Sequence, residues 1–537
     1  MSNVTDSLEG IPLAPGLVPR RLLREEITYS VAKEKDYNVL HELKYWDQRT
    51  QFFRHIQNNQ SLLQKIVAHH LGVSPDVCHV AEPRKWAHGS FNVCIRIDID
   101  AMARKPGRRV MIRLPLPYKL GENKHPGNID EKIRCEAGTY VWLQENCPTI
   151  PIPKLYGFGM TTGQSFTALE SRPFMTRMFW SLRRNISKLL GYQIATPYVP
   201  TTYKEASALG TGYLLIEYID STQGEMLSNT WPERRHNPKL RQTLFRDLSR
   251  TLLSLSRIPL SKIGSFTLDN EGYLTLSNRP LTLDIHYLEN QNIPIDIPRN
   301  STHSSTETYI NDLFSIHESR FRHQPNAVNN IQDAFYQACG LTIMRSVWPC
   351  FFRRDLLRGP FFFNLTDLHQ SNILVDKEWN VTCIIDLEWA CSRPVEMIHP
   401  PSWLSNQPMQ LIDEEQYTPL HTDFMAIFEE EEKALSPEMQ PPFPFYPILK
   451  QGLEKGTLWC SYALNSPGAI FDMFYRHIQP RFAKSHIDED SFWLITMPYW
   501  GFDSYQFLED KLEDKARYDE DLRKVFERRA DEHDAPE

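Results

Sequence analysis

An aspartate, an asparagine five residues on and a second aspartate after an apolar run (Asp367, Asn372 and Asp386) have the types and spacing from which chemistry could be built. Between Asn372 and Asp386 lie a short apolar strand (373 to 375), a polar turn (376 to 380) and a second apolar strand (381 to 385), a pattern that reads as a β-hairpin. Antiparallel folding returns Asp386 to the end where Asn372 sits, so a carboxylate and an amide oxygen lie side by side. Oxygen ligands of this kind suit a hard cation such as Mg²⁺. Asp367, a few residues before the first strand and at the same end, is placed to accept a proton from a hydroxyl near that metal.

The elements that must position these residues begin well upstream. Residues 1 to 25 carry Pro and Gly without periodicity and are expected to form a loose arm. From 34 to 71, apolar residues at helical spacing predict two helices ending at Gly72. Between 77 and 117 the period changes to that of strands, with alternation from Phe91 to Ile99 and a second run from Val110 to Leu114. Just before the first run, Gly89 and Ser90 lie in a turn whose backbone N–H groups could approach a phosphate, although a plain hairpin turn is the favoured alternative for a single glycine. Asn128 as N-cap, with Glu131 three residues later, predicts a capping box opening a helix that stops near Pro148. Glu136 borders the apolar stripe of that helix and needs a cation, for which Arg113 on the preceding strand is the candidate. Such a pair taken alone is more often a structural salt bridge.

A strand is expected at 150 to 159. Residues 166 to 208 read as an irregular insertion holding Arg172, Arg177, Arg183, Arg184 and Lys188 among Phe179, Trp180 and Leu189. A basic amphipathic helix there would suit a membrane or an acidic partner, with a solvated insertion as the favoured reading. Residues 213 to 219 predict a buried strand, and the shift from strand-rich to helix-rich composition places a lobe boundary near 220 to 225. Beyond it come a helix around 240 to 255, a hairpin at 264 to 276 and helices through 282 to 345. Acidic clusters at 413 to 415 and 429 to 432 read as a solvated face, and the charged tail from Glu509 as a frayed surface helix.

Length and composition agree with this layout. A chain of 537 residues, 41% hydrophobic, accommodates two to four domains or one enlarged two-lobe unit. A net charge of -8 argues against nucleic-acid binding. The nine cysteines show no C-x-x-C pair, and those within apolar patterns (Cys94, Cys135, Cys383) are expected to be buried free thiols. No run approaches the roughly 18 apolar residues of a membrane span, so a cytoplasmic protein without membrane contact is expected.

A strand-rich first part, a cation on its third strand, a helix Glu and a hinge strand precede the Asp367 stretch in an order that resembles the protein-kinase-like fold. The wording is closer to the fungal aminoglycoside-phosphotransferase-domain proteins. It is carried by Val110-Met-Ile-Arg-Leu-Pro, Lys132-Ile-Arg-Cys-Glu, Gly212-Tyr-Leu-Leu-Ile-Glu-Tyr-Ile, Ile263-Gly-Ser-Phe, Asn278-Arg-Pro-Leu, Thr366-Asp-Leu-His-Gln-Ser-Asn-Ile and Ile385-Asp-Leu-Glu-Trp-Ala, over roughly residues 75 to 480. The resemblance implies an α+β fold of two lobes. An arm and helical extension (1–74) would precede an N-lobe antiparallel sheet with one key helix (75–222, insertion 166–208). A larger helical C-lobe (223–537) would carry the catalytic loop 364–390.

It implies further that ATP and Mg²⁺ are the cofactors and that a small-molecule hydroxyl receives the γ-phosphate. Asp367 would be the catalytic carboxylate, with Asn372 and Asp386 the metal ligands. Gly89 and Ser90 would form the phosphate turn, Arg113 would stand in place of the phosphate-binding Lys beside Glu136, and Glu217 to Ile219 would form the adenine hinge. His369 is expected to make a structural hydrogen bond. Arg113 for Lys, Leu365-Thr366 for the usual His-Gly and the single-glycine turn support an alternative, a pseudokinase acting as a binding or scaffold protein.

Overall fold

The computed structural model describes residues 16–101, 107–483 and 490–527. Alternation in the first strand-rich segment has the expected consequence. Val93, Ile95, Ile97 and Ile99 share one face of the Asn92–Ile99 strand with Val110, Ile112 and Leu114 of the neighbouring Arg108–Pro115 strand, and all are buried. Helix Gln60–Leu71 covers that face with Leu63, Ile66 and Val67 and ends at Gly72, whose φ of 63° gives the left-handed cap. The sheet runs in the order Cys78–Val80, Asn92–Ile99, Arg108–Pro115, Tyr213–Glu217, Leu155–Gly159, Gln164–Ala168, Tyr198–Thr202, antiparallel throughout.

Arg113 occupies the middle of this sheet, opposite Cys94 on one side and Leu214 on the other. It points away from the Ile112 face, toward helix Asn128–Asn146. That helix lies against the hairpin Ser265–Leu268/Leu274–Asn278 so closely that a Cβ on Gly138 would come 2.6 Å from the Phe266 carbonyl oxygen. The predicted capping box does not form. Gly127 is the N-cap, and Glu122 accepts from the Gly127 and Ile129 amides at 2.7 and 2.8 Å. Glu131 turns inward to Arg279 (2.9 Å) and Arg299 (3.1 Å). Arg279 is 2% exposed, and a buried guanidinium demands carboxylates more strongly than one helix terminus does.

The rest of the chain is mostly helical, giving a mixed α+β architecture with antiparallel sheets. Three expectations change. Residues 166 to 208 are ordered: strands Gln164–Ala168 and Tyr198–Thr202 extend the sheet, and helix Phe174–Leu189 connects them. The acidic face of helix Glu414–Ala434 is partly paired, with Asp423 on Arg241 (2.9 Å), Glu431 on Arg250 (2.7 Å) and Glu432 accepting from the Phe445 amide (2.6 Å). The two chain ends hold each other. Helix Ser504–Phe526 buries Tyr518, Leu522 and Phe526 against Leu22, Ile27, Ala32 and Val39, and the Tyr518 hydroxyl accepts from the Val39 amide at 2.9 Å. The loose arm and frayed helix expected from the sequence thus cover each other's apolar residues; positions 1–15 and 528–537 lie outside the described residues. Among the described residues no helix is long and apolar enough to cross a membrane. Cys135 and Cys383 are buried and Cys94 half-buried, and all nine cysteines are unpaired.

His70 fastens the Gln60–Leu71 helix to the sheet. Its Nδ1 lies 2.8 Å from Thr167 Oγ1 and its Nε2 3.0 Å from the Tyr213 hydroxyl, in space that a Cβ on Gly157 would fill. Burial lowers its pKa from 6.5 to about 3, so the native ring is neutral. The unfolded chain binds a proton that the folded chain refuses between these values. Stability is therefore expected to fall as pH drops below 6.5, by up to about 1.4 kcal/mol per unit from this group. His70→Ala is expected to cost about 2–3 kcal/mol at pH 7 and to flatten that slope in urea unfolding measured from pH 7 to 5.

Candidate functional site

Two antiparallel strand pairs position the Asp367 stretch. Phe361–Leu365 pairs with Ala390–Pro394 and delivers Thr366, whose amide and hydroxyl both donate to the Trp389 carbonyl oxygen at 3.0 and 2.9 Å. Asp367 follows at the end of that pair. A short helical turn, Gln370–Asn372, then leads into the hairpin Ile373–Val375/Val381–Ile384, in which Ile373 pairs with Ile384. The Ile385 amide donates to the Asn372 carbonyl oxygen at 2.9 Å, so Asn372 and Asp386 stand at one end of the hairpin, as the antiparallel reading requires. Asp386 has a φ of 63°, a left-handed conformation that costs a non-glycine residue on the order of 1 kcal/mol. Its position is held from outside the loop.

Arg113 does the holding. One terminal nitrogen donates to Glu136 Oε1 at 2.7 Å, while the other bonds Asp386 Oδ1 and lies 3.1 Å from Glu388 Oε2. Lys132, one helical turn before Glu136, completes the cluster: it is paired with Glu388, lies 3.4 Å from Glu136 Oε2 and donates to Asn92 Oδ1 at 2.9 Å. The Asn92 amide donates to Glu388 Oε2 at 2.8 Å. Arg113 is 5% exposed, and Lys132 and Glu136 are fully buried. Two cations face three carboxylates, leaving one negative charge in excess. Glu388 nevertheless stays ionised: burial raises its pKa, but Lys132 and Arg113 outweigh burial and hold it below the usual range. The excess falls on Asp386, whose pKa burial raises, with Glu388 and Glu136 adding to what Arg113 only partly offsets.

Mg²⁺ is tested against that imbalance. A cation at Asp386 would neutralise the excess charge, and at the same end of the hairpin the Asn372 side-chain oxygen has one partner among the described residues, the Ser371 hydroxyl at 3.4 Å. Asn372 spends its amide hydrogens on the Asp367 carbonyl oxygen (2.9 Å) and carboxylate (3.3 Å), which turns its oxygen away from Asp367. One carboxylate and one amide oxygen fit a cation that takes its other ligands from phosphate and water. Among the described residues no cluster of three or more His, Cys, Asp or Glu could hold a metal by itself.

A cleft of about 300 Å³ adjoins Asp367 and is lined also by Thr282, Asp284, Trp389, Arg393 and His399. Burial pushes Asp367 up to about 6, with the Glu388 charge adding and Asn372 and Arg113 opposing. Asp284, at the start of helix Leu283–Asn290, is pushed up to about 7 by burial, with Arg393 and Arg320 opposing and Asp367 adding. Trp389 Nε1, Arg393 Nε and both ring nitrogens of His399 are buried without a hydrogen-bond partner among the described residues.

The expected residues do not all converge. Arg113, Glu136 and Asp386 meet directly, and Asp367 meets Asn372. Arg113, expected to take a phosphate, has both terminal nitrogens on carboxylates instead. Gly89 and Ser90 form an exposed turn in which the Gly89 amide donates to the Asn92 carbonyl oxygen at 3.0 Å; their link to the site is the Asn92 side chain. Glu217 is bound through its amide to the Lys154 carbonyl oxygen at 2.8 Å, whereas the backbone of Ile219 has no hydrogen bond among the described residues. His369 accepts from the Ser371 amide at 3.4 Å, the structural bond expected of it. None of residues 413–432, whose acidic clusters read as a solvated face, lines the cleft.

Lys132, Glu388 and Asp284 carry weight that sequence reasoning missed. A Lys-Glu pair one turn apart beside an apolar stripe was the available signal for Lys132. Glu388 and Asp284 gave none, because both meet their partners only through the fold. Comparison with known proteins adds no further assignment: no protein-family model matches the chain, and no curated protein matches it.

The charge imbalance separates two substitutions. Lys132→Met takes the cluster from one excess negative charge to two and is expected to cost about 3–5 kcal/mol. Glu388→Gln brings it to neutrality and is expected to cost less than half as much. Urea unfolding at pH 7 checks the order, and a larger loss for Glu388→Gln would refute the charge account.

Proposed function

We propose that this chain is a small-molecule phosphotransferase of the aminoglycoside-phosphotransferase type, moving the γ-phosphate of ATP to a hydroxyl of an acceptor seated in the cleft beside Asp367. The observation that supports it most is the gathering of Asp367, Asn372 and Asp386 at one end of two strand pairs, next to a polar cleft and in front of a buried cation–carboxylate cluster. Asn372 and Asp386 would hold Mg²⁺, whose charge neutralises phosphate oxygens. Asp367 orients the acceptor hydroxyl and takes its proton, a role suited to a carboxylate whose pKa is raised toward neutrality. The Ile219 backbone, without a hydrogen bond among the described residues, would meet the adenine edge. Arg113 acts by fixing Asp386 rather than by gripping phosphate, and Lys132 fixes Glu388 in turn. Most of the rate acceleration would come from positioning and charge neutralisation.

A second reading rests on the Arg113–Asp386 pair. If that bond persists when nucleotide is offered, the metal ligand is spent and the chain is a binding or scaffold protein.

Thermal unfolding with Mg-ATP decides between them. At about one hundred times the Kd, a ligand bound only by the native state stabilises it by about 2.7 kcal/mol. The wild type is expected to show a rise in Tm with Mg-ATP that Asp386→Ala lacks; no shift in the wild type at millimolar nucleotide supports the scaffold reading. Asp367→Ala is expected to keep the nucleotide shift while turnover of an acceptor falls by about a hundredfold or more. Unchanged turnover would remove Asp367 from the mechanism.

A further inference from the structure

Helix Phe174–Leu189 is built the wrong way round for a helix covering a sheet. Helices of this length are marginal in water unless an apolar stripe is buried, yet no residue of this one is buried. At about 100° per residue, Phe174, Met175, Met178, Phe179, Leu182, Ile186 and Leu189 fall within an arc of about 140°. Those side chains are solvent-facing: Phe174 is 73% exposed, Phe179 61% and Leu189 85%. Leu190 and Tyr192 extend the exposed patch past the helix end. The opposite face is fastened to the protein by polar contacts. Trp180 Nε1 donates to the Thr196 carbonyl oxygen (2.9 Å), Arg184 pairs with Glu145 (3.1 Å) and Arg183 donates to the Tyr273 hydroxyl (2.7 Å). The helix is thus held with its apolar side outward.

Charge indicates what covers that side. The helix carries Arg177, Arg183, Arg184 and Lys188 and no Asp or Glu, in a chain whose net charge is -8. By the same angular spacing, Lys188 and Arg177 border one edge of the apolar arc, while Arg183, beyond the other edge, is turned to Tyr273. Arg177 and Lys188 have no ion pair among the described residues. An apolar arc with large rings, flanked by cations, is the pattern of a helix lying in the plane of a bilayer interface, its rings among the acyl chains and its cations at the level of anionic headgroups. A second copy of this face is the poorer occupant, because a two-fold contact sets these cations against each other with no carboxylate on the helix to answer them. That no helix among the described residues is long and apolar enough to cross a membrane is no obstacle, since an interfacial helix does not span.

We infer that the Phe174–Leu189 helix docks this protein onto anionic lipid surfaces. The solvated insertion expected from the sequence is a peripheral membrane anchor on the sheet-bearing part of the chain. The inference does not rest on the chemistry at Asp367.

Sedimentation of the full chain with phosphatidylcholine vesicles, with and without about 30% phosphatidylserine, tests it. At about 0.1 M salt the wild type is expected to bind the anionic vesicles at least tenfold more tightly than the neutral ones. Phe179→Asp/Leu182→Asp should abolish binding, and Arg177→Glu/Lys188→Glu should remove the preference for the anionic lipid. All four positions lie outside the core, so unchanged circular dichroism and Tm are expected to show that the variants fold. No sedimentation of the wild type, or sedimentation undiminished by Phe179→Asp/Leu182→Asp, overturns the proposal. A wild-type dimer in analytical ultracentrifugation that Leu182→Asp makes monomeric also overturns it, assigning the face to a second copy.

Discussion

The arrangement around Asp367 depends on the burial of Arg113. A guanidinium taken out of water in the middle of a sheet is costly unless carboxylates surround it, and the desolvation is recovered only when all of them are in place. Its carboxylates come from two places: Glu136 from the helix across the sheet, Asp386 and Glu388 from the segment after a hairpin some 270 residues away. The sheet, its helix and the Asp386 segment therefore reach their relative positions together, and removing one charge strands the others. Lys132 makes the arrangement a closed ladder rather than a fan, since Glu136 and Glu388 are each shared between two cations.

From that cluster the character of the site follows. Three carboxylates against two cations leave an excess negative charge, and the left-handed Asp386 carries it at the end of the hairpin where Asn372 stands. Asp367 stands apart from the cluster but within its field, so its proton affinity is raised by burial and by the Glu388 charge. The same residues would serve equally to lock a rigid binding protein. What distinguishes the two is whether Arg113 releases or shares Asp386, an equilibrium that ligand binding would bias.

Two long helices cover apolar surface elsewhere. The terminal helix shields the arm near residue 20, and Gln60–Leu71 shields the outer sheet face. The apolar face of Phe174–Leu189 is turned outward instead, and the cations on that helix give it a direction.

Local pattern reached far in this chain, and its limits have a common cause. Period-two alternation in residues 92–99 and 110–114, the Gly72 stop and the hairpin between Asn372 and Asp386 were legible because each depends on neighbours within a few residues. The convergence of Asn372 with Asp386 was legible for the same reason: a tight hairpin has one way to return. The Arg113–Glu136 pair needed only adjacent elements. By contrast, Glu131 read as a capping residue because the sequence could not show Arg279 arriving beside it. Arg113 read as a phosphate ligand because Asp386 and Glu388 approach it from across the fold. The charged C-terminal segment read as frayed because its partners, Leu22 and Ile27, lie at the other end of the chain. Periodicity in Phe174–Leu189 marked an amphipathic helix but not which way it faces. Sequence by itself determined the elements and the local geometry of the Asp367 stretch. Tertiary structure alone decided which charges neutralise one another and which apolar faces are covered, because both depend on desolvation by residues distant in sequence.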